Sequence, residues 1–83
     1  MDQILIIEDD LSIQALLSRV LGKAGYHVTV ADTLAAGAIQ LQKTEFSLVL
    51  LDINLPDGNG LSLLPQFDVG DPPVVVLTAD NHC

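Results

Sequence analysis

Ile4-Leu5-Ile6-Ile7-Glu8-Asp9-Asp10 is the stretch that decides the fold of this chain. Four consecutive branched apolar residues, with no polar alternation, suit a strand buried on both faces. Such strands belong to parallel sheets covered by helices. The run then stops at three carboxylates, as a strand does on leaving a core at its rim. The theme recurs at Phe46 to Leu51, closed by Asp52, and at Val74 to Leu77, followed by Thr78-Ala79-Asp80.

Between these runs the period changes. From Leu11 to Ala24 the apolar residues Ile13, Leu16, Leu17, Val20, Leu21 and Ala24 recur at helical spacing, and Gly25 stands where a helix C′ residue is expected. Tyr26, Val28 and Val30 alternate as a strand, with His27 and Thr29 on its other face. Thr33 can cap a second helix running to about Lys43, with Leu34, Ala38 and Leu41 on one stripe. Pro56-Asp57-Gly58-Asn59-Gly60 reads as a loop, and Leu61 to Phe67 as a third helical segment. Pro65 lies inside that segment and removes a helix bond, so it is expected to be one or two turns long, or irregular. The order βαβαβαβ predicts an α/β fold, a parallel sheet with right-handed crossovers and helices on both faces. Ending on the fourth strand, Val74–Leu77, would leave that strand with a bare face and a bare edge.

Composition sets the bounds. Eighty-three residues, 49% of them hydrophobic, make one small domain with a packed core. Eleven Asp and Glu oppose three Lys and Arg, for a net charge of −8. That balance excludes a phosphate-backbone surface for nucleic acid and an anionic membrane surface. Cys83 is the single cysteine, there is no charged-then-apolar leader, and no apolar run approaches a membrane span. A reducing, cytoplasmic setting is therefore expected.

Open α/β sheets bind ligands at the carboxyl ends of their strands. Here those ends bring Glu8, Asp9, Asp10, Asp52, Thr78 and Asp80 toward one rim. Two carboxylates about 5 Å apart repel by about 3 kcal/mol at an effective dielectric of 20, so the group calls for a cation. A hard divalent ion with oxygen ligands fits, and magnesium is the natural one. Asp52, closing an apolar run, is placed to act as a nucleophile toward phosphorus. Singly, each residue has a plainer reading. Asp10 can be a helix cap, Asp52 a loop carboxylate, Pro56–Gly60 a turn, and Thr78 a β-former at a strand end. Their joint placement on one rim favours the chemical reading.

Three segments together, Ile4 to Asp10, Leu50 to Gly60 and Val74 to Ala79, resemble the receiver domain of two-component response regulators. The likeness runs from residue 2 to about 80. It implies a flavodoxin-like sheet in which Asp52 is the phosphoacceptor, and Glu8 and Asp9 form the acidic pair that binds Mg2+. It also implies that Asp52 and the backbone carbonyl of Asn54 complete the metal site, that Thr78 is the switch hydroxyl, and that Gly60 opens the third helix. A complete receiver continues with a fourth helix, a fifth strand bearing a lysine and a fifth helix, none of which is found before Cys83. The lysines present, Lys23 and Lys43, fall on the first two helices. Residues 1–83 are thus expected to be the N-terminal two-thirds of a receiver.

The expected function is a phosphoacceptor module. It takes a phosphoryl group from a histidine kinase or phosphotransfer protein onto Asp52, and serves an output module such as a transcription regulator. The alternative is an interaction module that is not phosphorylated and binds partners through the first helix, near Leu11, Ile13 and Gln14. Enzymatic turnover is not expected. Phosphatases with an aspartate nucleophile place a second acid two residues later, where this chain has Asn54. Self-association through the edge of the fourth strand is a further expectation.

Overall fold

The computed structural model describes residues 2–66 and 72–77. Along the chain run β1 (Gln3–Ile7), α1 (Leu11–Lys23), β2 (His27–Ala31), α2 (Leu34–Lys43) and β3 (Leu48–Asp52). A two-stranded hairpin follows, β4 (Asn54–Leu55) and β5 (Gly58–Asn59), then the 3₁₀-helix η1 (Gly60–Gln66) and finally β6 (Val74–Leu77).

Four strands form one parallel sheet in the order β2-β1-β3-β6. β1 is central, and Ile4, Leu5, Ile6 and Ile7 are each at most 2% exposed, as a continuous apolar run requires. Alternate residues feed two cores. Leu5, Ile7, Val49 and Leu51 pack with Leu63 of η1 and with Leu34, Ala38 and Leu41 of α2. Ile4, Ile6 and Leu50 pack on the other face with Leu17 and Leu21 of α1. Helices therefore cover both faces, in a flavodoxin-like arrangement.

Local chemistry explains where the elements stop. α1 ends at Lys23 with Gly25 at φ +99°, a conformation that costs glycine little. The Gly25 N–H donates to the Gly22 carbonyl and the Tyr26 N–H to the Leu21 carbonyl, both at 3.1 Å, which is a Schellman ending. Because Tyr26 gives its N–H to that motif, β2 begins at His27 rather than at Tyr26. α2 is capped by Thr33, whose hydroxyl accepts from the Ala36 N–H at 3.0 Å.

Besides the start of β2, three sequence expectations are corrected. The third strand spans Leu48–Asp52 instead of residues 46–51, so Asp52 is its last residue and keeps strand register, opposite Leu77. The third helical segment is short, as Pro65 implies, but it is 3₁₀ rather than α, since an α-helical ladder would need the N–H that Pro65 lacks to reach Leu61. The segment Pro56–Gly60 is no simple loop. Its residues 58–59 pair antiparallel with 54–55, folding back on the strand end. No helix among the described residues is long and apolar enough to cross a membrane.

Candidate functional site

The chain leaves β1 toward β2 on one side of the sheet and leaves β3 toward β6 on the other. The strand order thus reverses between β1 and β3, and the crevice at their carboxyl ends is where such folds bind ligands. Ile7 and Leu51 are paired across that boundary, so the residues that follow them, Glu8 and Asp52, are neighbours.

Glu8, Asp9 and Asp52 each offer a carboxylate oxygen, and these oxygens lie within 4.8 Å of one another. Glu8 is 2% exposed and Asp52 4%, whereas Asp9 faces solvent. Burial is the main cause that pushes the Glu8 carboxyl above its ordinary value; the Asp10 N–H, donating to Oε2 at 3.1 Å, pulls it the other way. Asp52, close enough to share a proton with Glu8, raises it further, and the charge of Asp9 adds to this. A carboxyl whose charged form is disfavoured by burial and by neighbouring carboxylates is one that a divalent cation would relieve. The donor set is three carboxylates, two of them anchored at strand ends, and it suits a hard oxygen-seeking ion such as Mg2+.

The surrounding residues fix these groups in place. The Glu8 N–H donates to the Ala31 carbonyl at 2.9 Å, keeping β1 in register to its last residue. The Gln14 side-chain amide donates to the Glu8 carbonyl and ties α1 to the acid turn. Asp10 belongs to the helix, not to the acid cluster. Its Oδ1 accepts from the Ser12 and Ile13 N–H groups at 2.8 and 3.2 Å, capping α1. The Asn54 N–H donates to Asp52 Oδ1 at 3.3 Å and so limits rotation of that carboxylate.

Gly60 is required by close approach. A Cβ built there would sit inside the Asp52 carbonyl, and the Gly60 N–H donates to the Ile53 carbonyl at 2.6 Å. The backbone thus doubles back over the residue that ends β3. Thr78 lies outside the described residues. Asp57, read from sequence as turn chemistry, has a longer reach. Its carboxylate accepts from the Leu34 and Ala35 N–H groups at 2.8 and 3.1 Å, joining the hairpin to α2. No sequence pattern announces a bond across more than twenty residues.

A protein-family model described as the response regulator receiver domain matches residues 4–83. This chain belongs to that family. The response regulator receiver protein CpdR of Brucella abortus is 39% identical over 77 residues, covering 93% of this chain and 64% of CpdR. The chain therefore spans less than two thirds of that relative's length. The response regulator TrrA of Thermotoga maritima, solved in complex with Mg2+–BeF, superposes with a TM-score of 0.88 at 28% identity. That match covers 99% of this chain and 73% of TrrA. TrrA in complex with the histidine kinase ThkA matches with a TM-score of 0.86, again at 28% identity, over 99% of this chain and 72% of that one. The receiver fold that the resemblance implies is the fold observed.

Proposed function

We propose that this receiver accepts a phosphoryl group on Asp52 from a histidine kinase or a phosphotransfer protein, with Mg2+ held by Glu8, Asp9, Asp52 and the Asn54 carbonyl. The observation that carries the reading is the convergence of three carboxylates at the switch point, with Asp52 buried on the central strand pair. In the transfer, an Asp52 carboxylate oxygen attacks phosphorus, the P–O bond forms and the P–N bond to the donor imidazole breaks. The imidazole keeps the electron pair. Mg2+ would neutralise the carboxylates and the charge developing on the phosphoryl oxygens. Asn54 restrains the attacking carboxylate through its N–H, Glu8 and Asp9 would hold the cation, and Gln14 and Asp10 keep the acid turn fixed. Thr78 is assigned the switch hydroxyl on the strength of the family resemblance.

The kinase partner is supported by the ThkA–TrrA complex. The chain is proposed to act as a cytoplasmic phosphoacceptor for an output module, rather than as an enzyme turning over a separate substrate. Self-association belongs to the same proposal. β6 is an edge of the sheet among the described residues, and Val75 on it is 47% exposed. The test is incubation with a small-molecule phosphodonor, with Mg2+ or with EDTA, read by intact mass. Wild type should gain one phosphoryl group only with Mg2+, and Asp52→Asn none. Label on the Asn variant would move the acceptor elsewhere; no label on a wild type that still binds its kinase would leave an interaction module.

A further inference from the structure

The hairpin β4–β5 begins beside the phosphoacceptor and ends at α2. Asn54, its first residue, donates to Asp52 Oδ1. Leu55 is buried in the core beneath it, and the pairs Asn54↔Asn59 and Leu55↔Gly58 leave only Pro56 and Asp57 at the tip. From that tip Asp57 reaches the first turn of α2 and bonds two of its otherwise unpartnered N–H groups, one with each carboxylate oxygen. Gly58 next to it stands at φ +148°, and a Cβ there would press on Leu34 Cδ1 at 3.0 Å, so hairpin and helix are in close contact. α2 already has its own cap, since Thr33 serves the Ala36 N–H. The Asp57 bonds therefore do more than finish a helix: they fasten the segment that carries Asn54 to a rigid element.

We infer that Asp57 is a positioning residue for the Mg2+ and phosphoryl site, holding Asn54 against Asp52 by clamping the hairpin to the N-terminus of α2. The inference rests on the metal reading given above. The bond from the Leu34 N–H holds the Asp57 carboxyl below the usual carboxylate range, with the Ala35 bond assisting, so the clamp is made by the ionised form at neutral pH. Nothing about the role requires Asp57 to touch the ion.

The test compares two caps of the same helix. Mg2+ alone is titrated by calorimetry into wild type, Asp57→Ala, Asp57→Asn and Thr33→Ala of the full chain, with thermal unfolding measured in parallel. Both Ala variants should melt lower, because each removes a cap from α2. Only the Asp57 variants should bind Mg2+ more weakly, on the order of tenfold for Asp57→Ala, the usual cost of losing a residue that orients metal ligands. Asp57→Asn, which retains one acceptor oxygen, should fall between, and the Asn54 amide resonance should move with it. If Asp57→Ala is unfolded at the assay temperature, Asp57→Asn decides. An unchanged dissociation constant in the folded Asp57 variants, or an equal loss in Thr33→Ala, overturns the inference while leaving the metal site standing. A wild type that binds no Mg2+ overturns both.

Discussion

Asp52→Asn is expected to stabilise the metal-free protein and to reverse that advantage when Mg2+ is present. The carboxylate oxygens of Glu8, Asp9 and Asp52 lie within 4.8 Å of one another. At that distance and an effective dielectric of 20, one pair of full charges repels by roughly 3.5 kcal/mol. The charged form of Glu8 is disfavoured in this setting, burial being the first cause and Asp52 contributing. Asparagine keeps the size of the side chain and an acceptor oxygen for the Asn54 N–H, and removes only the charge. The folded, metal-free variant should then gain on the order of 1–2 kcal/mol, with each kcal/mol worth about 4–8 °C in Tm for a domain this small.

Mg2+ at about a hundredfold excess over its dissociation constant should stabilise wild type by about 2.7 kcal/mol, and the variant by much less, so the order of Tm values inverts. The pH dependence has a defined sign. The Glu8 value in the folded state lies above the ordinary 4.5, so the folded state binds more protons than the unfolded one just above that pH. The contribution is complete below about 4.5 and is lost as pH rises through the folded value. Asparagine removes one cause of the shift, so its advantage should be larger near pH ~8 than near pH ~5. Far-UV circular dichroism melts in EDTA and in Mg2+ at both pH values read all of this. An Asp52→Asn protein no more stable than wild type in EDTA, or equally favoured in Mg2+, refutes the charge-crowding account.

Asp9→Ala should abolish most of the Mg2+ stabilisation, whereas Asp10→Ala should keep it while losing about 1 kcal/mol of fold stability as the α1 cap is removed; melts with and without Mg2+ separate the two. Gly60→Ala should cost ~3 kcal/mol or more by chemical denaturation, because its methyl group meets the Asp52 carbonyl, while Gly22→Ala, with open space around it inside α1, should gain about 0.5–1 kcal/mol. Light scattering over a dilution series should show a dimer or larger species at micromolar concentration, and a charge introduced as Val75→Glu should return it to monomer.

Much of this architecture is legible in the chain because its signals are local. Ile4–Ile7 reads as a doubly buried strand because no residue in it is polar, and Gly25 marks the end of α1 because only a positive φ closes that turn. The acid rim follows from topology alone, since parallel strands carry their carboxyl ends to one side. What stayed open or escaped is decided only by the bonds each residue makes. Asp10 could be read as ligand or cap until its carboxylate was seen on the Ser12 and Ile13 N–H groups. Pro56–Gly60 has ordinary turn composition, and its pairing with Asn54–Leu55 leaves no periodicity in two-residue strands. Asp57 is the clearest case. Its local neighbours predict a turn, while its bonds go to the start of α2.

The central claim is that Asp52, among all the carboxylates of this rim, takes the phosphoryl group. Locating the modification tests it most directly: the chain is treated with a phosphodonor and Mg2+, the acyl phosphate is reduced with borohydride, and peptides are sequenced by mass spectrometry. The account predicts a single converted residue, Asp52, in a Mg2+-dependent yield. Conversion at Asp9, Asp10 or Asp57 instead would contradict it.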